Sequence, residues 1–316
     1  MRDIPEFSMC NLLRLDVRKL INLTLFLLSA LCSQAQTPQL QWQVVKGGSS
    51  HDFGLESAQS VDGNIFIAGT SSSSGGNIPG NHGLTDVYIA KLTDSGIEVW
   101  AKNFGGTGSD SLIALAPCKD GGVVLLCKSG SNSTGKDFEQ IGVYIVKLNA
   151  LGSTVFISFV GGNPDSKGAI LETSDSDYLF LSSKNIGGNG KDLWLGKLNH
   201  TGATPLIWEK TLGGTQNETP NDLLEYNGTY FLLGETQSPT VSTAVSKGGS
   251  DLLWAKSTSG GTISNVNLFG GSNNEFNGKM VLDENNLIYI AVTSYSSSSG
   301  DVFEVSKGGL IYGYFK

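Results

Sequence analysis

Residues 47–49 read Gly-Gly-Ser, and a Gly-Gly pair followed by a small polar residue returns as Gly105-Gly106-Thr107, Gly161-Gly162-Asn163, Gly213-Gly214-Thr215 and Gly270-Gly271-Ser272. The intervals are 58, 56, 52 and 57 residues. Between successive pairs the same segments return in the same order. Turn chemistry comes first, as Val61-Asp62-Gly63-Asn64, Lys119-Asp120-Gly121-Gly122, Ser174-Asp175-Ser176-Asp177, Tyr226-Asn227-Gly228-Thr229 and Asp283-Glu284-Asn285-Asn286. Asp-Gly and Asn-Gly steps accept the positive φ angles of a tight hairpin. An apolar strand follows, such as Ile65-Phe66-Ile67-Ala68 or Ile288-Tyr289-Ile290-Ala291, and then a Ser/Gly-rich stretch. A third strand closes on Lys in every copy, at 86–91, 142–147, 192–197, 251–256 and 311–316. A Gly-containing turn opens a fourth strand that runs into the next Gly-Gly.

Four short strands repeated about every 56 residues are the signature of β-propeller blades. The last copy, 272–316, stops after its third strand, while 37–48 resembles a lone fourth strand. The chain is therefore expected to be all-β: a five-bladed β-propeller of four-stranded blades, closed by the N-terminal strand 39–46 completing the last blade. The repeats are 49–106, 107–162, 163–214, 215–271 and 272–316 plus 37–48, forming one domain over 37–316. Composition agrees. Gly supplies 42 of 316 residues and charged residues only 16%, so the surface draws on Ser, Thr, Asn and Gly. A net charge of -8 speaks against a nucleic-acid partner.

Arg18 and Lys19 precede an apolar run at 20–31, and Ser33-Gln34-Ala35 offers the small residues that a signal peptidase admits. Residues 1–35 read as a cleaved signal peptide, which places the protein in the periplasm, on the cell surface or outside the cell, with no membrane span in the mature chain. Leu31 stands where a small residue would precede a lipidated Cys32. Cys118 and Cys127 flank a hairpin turn, facing Val123 and Ala114 in a two-residue hairpin, and read as two small buried hydrophobes rather than a disulfide.

Segments such as 62–71, 86–92 and 100–106 resemble the bacterial β-propeller repeat called the SBBP family, in the variant common in exported proteins of the Bacteroidota. The resemblance runs from about Leu40 onward. It implies a propeller and an exported location, and it carries no catalytic residues. The family name implies seven blades, whereas five repeats are present in this chain.

Four residues past each Gly-Gly stand Asp52, Asp110, Ser166, Glu218 and Glu275, with Asp165 beside the odd copy. If the innermost strands begin there, these acids gather at one mouth of the central channel. They would then be ligand-binding residues or hard oxygen ligands suited to Ca²⁺, the one cofactor the pattern allows. The alternative is that each acid caps its own Gly-rich loop. Asp86, Asp192, Asp251 and the five strand-closing Lys divide the same way between a ligand circle and structural pairing. Trp42, Trp100 and Trp208 read as packing between blades. His51, His82 and His200 have no metal-ligand spacing, and no nucleophile elbow or phosphate loop is present. The expectation is a non-catalytic binding scaffold for a glycan, peptide or protein. Its face would be the loops 71–85, 129–141, 184–191, 236–250 and 293–310, with Phe138, Tyr295 and Phe303 as aromatic contacts. The alternatives are a polysaccharide lyase or hydrolase using the channel-mouth carboxylates, and a structural or adhesive envelope component.

Overall fold

The computed structural model describes residues 40–188, 190–302 and, for the backbone, 311–315. The chain separates into two units, Met1–Gln43 and Val44–Lys316. The signal-peptide segment, strand residues 37–39 and Phe303 lie outside the described residues. Every described element lies in the second unit.

The described fold is all-β, with no helix among these residues and so none long and apolar enough to cross a membrane. The first sheet contains β1 (Asp52–Gln59), β2 (Ile65–Ser71), β3 (Asp86–Leu92) and β4 (Glu98–Phe104). The second contains β5 (Asp110–Pro117), β6 (Val123–Ser129), β7 (Gly142–Leu148) and β8 (Thr154–Gly161). The third contains β9 (Ala169–Glu172), β10 (Tyr178–Asn185), β11 (Lys191–Leu198) and β12 (Trp208–Leu212). The fourth contains β13 (Glu218–Tyr226), β14 (Thr229–Thr236), β17 (Asp251–Thr258) and β18 (Ile263–Phe269), with the small hairpin β15 (Thr240–Val241) and β16 (Ala244–Val245) in its loop. The last contains β19 (Glu275–Leu282), β20 (Ile288–Ser294) and β21 (Ile311–Phe315). All are antiparallel meanders in chain order.

The first strands β1, β5, β9, β13 and β19 pack each on the next along the series. The sheets meet face to face, and one core lies in each gap. Phe66, Val87 and Phe104 join Leu125 and Tyr144 between the first two sheets, and Val124 and Ile145 join Phe180 and Trp194 in the next gap. Leu181 and Leu195 join Leu232 and Leu253 in the third gap, and Leu233 and Leu252 join Ile290 in the fourth. This burial on both faces explains why β3 and β7 are buried at every residue and read as unbroken apolar runs, while β4, further out, is largely exposed or half-buried. Such serially stacked four-stranded meanders are propeller-like sheets.

The turn signals form the hairpins expected of them. Gly63 sits at φ 83°, where the Ser60 N–H donates to Asn64 O at 2.8 Å, and Ser176 holds the equivalent place in the third sheet at φ 70°. The turn is longer than a two-residue hairpin, and each of β1, β5, β13 and β19 carries a bulge. The longer turn sets Val123 opposite Pro117 instead of Cys118, and the bulge between Leu112 and Ala114 adds a further shift that sets Cys127 opposite Leu112 instead of Ala114. Both cysteines are buried and free.

One expectation is not met. Residues 40–51 form no strand, and the fifth sheet has three strands among the described residues. Leu40, Val44 and Val45 remain exposed.

Candidate functional site

The loop acids open the first strands of four different sheets. Each grips its own Gly-Gly turn, accepting the N–H of the second glycine: Asp52 from Gly48 at 2.8 Å, Asp110 from Gly106 at 2.7 Å, Glu218 from Gly214 at 3.1 Å and Glu275 from Gly271 at 2.9 Å. Hydroxyls at the end of the second strand donate to the other side, Ser71 to Asp52, Thr236 to Glu218 and Ser294 to Glu275. In the third sheet Lys184 and Ser166 occupy these two positions, and the adjacent Ser183 donates instead to Asp165 at 3.2 Å. No two of these four acids share a hydrogen-bond donor among the described residues. Asp52 borders a cavity of about 80 Å³ together with Lys46, Phe53, Thr70 and Tyr88.

The strand-closing lysines do not form a free basic circle. Lys91, Lys147 and Lys197 are buried and reach the acids of the hairpin turns, Asp62 at 2.7 Å, Asp120 at 2.7 Å and Asp175 at 2.6 Å. Lys91 also donates to Gly121 O at 3.0 Å, tying the first sheet to the second. Lys256 lies over the rings of Phe231 and Trp254, and Lys316 is outside the described residues. The Lys91 hydrogen bond holds the Asp62 carboxyl down to about 2. A depressed carboxyl stabilises the fold above its ordinary range, and that contribution is lost as pH falls toward 2. Replacing Lys91 with Ala is expected to cost about 2–3 kcal/mol in urea unfolding, because Gly121 O loses a buried donor. Asp62→Asn should cost under about 1, since its half-exposed side chain keeps water.

The aromatic candidates separate. Phe138 is fully buried and stacks on Tyr144 at 4.5 Å, so it is removed from the loop face. Its ring anchors the second sheet's loop, as Ile78 and Val241 anchor theirs. Tyr295 stays exposed, edge-on to Phe276. Trp100 and Trp208 donate their indole N–H to turn carbonyls of the next sheet, Ala150 O at 3.1 Å and Ser259 O at 3.0 Å, and act as inter-sheet packing.

A group that the sequence reading missed sits four residues further along the first strands, at Glu56, Asp222 and Lys279. The bulges give these three the same register position: Glu56 pairs with Ala68, Asp222 with Leu233 and Lys279 with Ala291. Ala114 and Ala169 fill the position in the other two sheets. Asp222 lies 3.7 Å from the Lys279 ammonium and accepts the N–H of Met280 at 2.8 Å and of Leu223 at 3.1 Å. Glu56 accepts only the Leu115 N–H, at 2.6 Å. Burial pushes the Glu56 carboxyl above its ordinary value, opposed by that N–H and by Lys279 and reinforced by the Asp222 charge. Burial raises Asp222 as well, against Lys279 and its two backbone donors. Beside them, the Lys167 ammonium donates to Asn277 Oδ1 at 2.7 Å and to Glu235 Oε1 at 3.3 Å, and Glu235 also accepts from Asn221 at 3.0 Å. Charged groups of the first, third, fourth and fifth sheets therefore meet along the first strands, two of them carboxyls held up by burial. Such a set can supply a proton donor and a charged partner. The signal available in the sequence was the recurrence of a charge four residues after Asp52, Glu218 and Glu275.

No family model and no curated protein matches the chain. Among solved structures it is similar to an α-L-arabinofuranosidase from Lactobacillus brevis, at 12% identity and TM-score 0.41, covering 82% of this chain and 89% of that one. It is similar also to an endo-arabinase from Bacteroides thetaiotaomicron, at 9% identity and TM-score 0.40, covering 84% and 93%. A third is the polysaccharide lyase Uly1, at 14% identity and TM-score 0.42, covering 83% of this chain and 56% of the lyase. At these values the likeness transfers neither substrate nor residue roles. The expectation of a non-catalytic scaffold is not carried forward, the similar structures being carbohydrate-active enzymes.

Proposed function

We propose that the chain is a carbohydrate-active enzyme hydrolysing a polysaccharide at its first strands, with Glu56 as the proton donor and Asp222 as its charged partner. The observation that carries this reading is the meeting of two carboxyls, raised by burial, with Lys279 at one register position of three sheets. Glycoside cleavage needs one carboxyl protonated and one ionised. Glu56 has a single N–H donor and keeps its proton more readily. Asp222 has two N–H donors and Lys279, all of which favour its anion. Incubation with a panel of neutral and uronate-containing polysaccharides is expected to release new reducing ends from at least one of them. Unsaturated products would mean elimination instead, and no product from any member would overturn the reading.

The same proposal includes an SBBP-type ring of five blades, exported after cleavage of residues 1–35.

A further inference from the structure

Three junctions between sheets carry one buried arrangement. The aspartate that opens the third strand faces the loop acid of the following sheet across the first glycine of the pair. Asp192 faces Glu218 across Gly213, where an added Cβ would stand 2.2 Å from Asp192 Oδ1 and 2.4 Å from Glu218 Oε2. At Gly270 the corresponding distances are 2.1 Å to Asp251 Oδ1 and 2.5 Å to Glu275 Oε2, and at Gly105 they are 2.2 Å to Asp86 Oδ1 and 3.0 Å to Asp110 Oδ2. Each glycine leaves open the point on which two carboxylate oxygens converge.

Asp86, Asp110, Glu218 and Asp251 are 0% exposed and Glu275 1%, while Asp192 is half-buried. Asp86 Oδ1 and Asp251 Oδ1 are buried without any hydrogen-bond partner. So is Asn103 Oδ1, whose own Nδ2 donates to Asp86 Oδ2 at 2.9 Å. The charged neighbours do not answer these oxygens. His82 contacts Asp86 through Oδ2, at 3.0 Å, and Asp137 adds a further acid near His82. Lys247 gives Asp251 only its backbone N–H, while its ammonium goes to Asp301 and Leu268 O. Neither Asp192 nor Glu218 has an ion-pair partner among the described residues. The two acids also vanish together: at the junction of the second and third sheets the equivalent residues are Gly142 and Ser166. That joint loss marks the pair as a unit.

Two buried carboxylates facing one another cost several kcal/mol unless a positive charge joins them. One proton links two oxygens and leaves Asn103 Oδ1 unanswered, whereas a hard cation takes six to eight oxygen ligands. We propose that each of the three junctions binds a divalent cation, Ca²⁺ by its preference for carboxylate and amide oxygens. Asp86 and Asp110 would hold one with Asn103, Asp192 and Glu218 a second, and Asp251 and Glu275 a third. These are separate sites, distinct from the single channel-mouth cluster expected from the sequence.

Equilibrium dialysis of the full chain against millimolar Ca²⁺ near pH 7 is expected to give about three ions per chain, falling to about two in Asp192→Asn. Chelator should lower the wild-type Tm and added Ca²⁺ restore it. Glu218→Gln provides a second variant of the same pair should Asp192→Asn fail to fold. The proposal fails if no Ca²⁺ is retained, or if both variants keep the wild-type stoichiometry. It fails equally if Tm ignores chelator yet rises as pH falls from about 7 to about 5, the behaviour of pairs that share a proton. None of these readouts depends on polysaccharide turnover, so the cation sites stand or fall apart from the enzymatic reading.

Discussion

Glu56→Gln is expected to lower polysaccharide turnover by about 10²–10⁴-fold while leaving the fold intact. The amide oxygen of Gln still accepts the Leu115 N–H, now made at 2.6 Å, so the tie between the first and second sheets survives. What disappears is the transferable proton. In the wild-type enzyme the rate should fall as pH rises through the Glu56 value, because the acid must be protonated to work and burial has moved that value upward. The acidic limb should follow protonation of Asp222, and Asp222→Asn should depress activity at every pH, since its partner role requires an ionised carboxylate. Far-UV circular dichroism distinguishes loss of chemistry from loss of fold. A Glu56→Gln variant with wild-type kcat/KM would sink the assignment.

Gly69→Ala should destabilise the protein by about 2–4 kcal/mol, whereas Gly54→Ala, its register partner across β1 and β2, should change stability by no more than about 0.5–1 kcal/mol. The two positions differ only in space. A Cβ on Gly69 would lie 1.9 Å from Phe53 O and 2.9 Å from Phe53 C, backbone atoms that cannot retreat without breaking the β1–β2 ladder beside its bulge. A Cβ on Gly54 meets nothing within 4 Å. Neither glycine has a positive φ, so sterics alone separate them. Urea midpoints at constant m-value measure both. Equal losses would mean that the bulge tolerates a methyl group and that the packing at the first strand is looser than described.

Much of the fold was legible because it is local and repeated. A hairpin turn such as 61–64 is decided by a few φ angles, and an apolar run such as β2 by its neighbours on one strand. The Gly-Gly period displays both five times. The caps were legible for the same reason: an acid four residues beyond its Gly-Gly lies within reach of that turn's own N–H. The closing strand was read from complementary chain ends, and 40–46 forms no strand among the described residues. Strand assignment there depends on a partner edge, which a segment's composition does not specify. Phe138 misled because an exposed-looking loop aromatic and a buried loop anchor have the same sequence context.

By itself the sequence determined the strand order, the turns and the glycines that let loop acids bond backbone amides, since each rests on contacts a few residues apart. Only the tertiary structure decided which charges meet. Glu56, Asp222 and Lys279 belong to the first, fourth and fifth sheets. They share a register position because a bulge shifts each strand after its loop acid, a displacement that alternation along the chain does not reveal. The facing of Asp192 on Glu218 arises the same way, from a strand of one sheet and a loop of the next brought together across a glycine by the stacking of sheets.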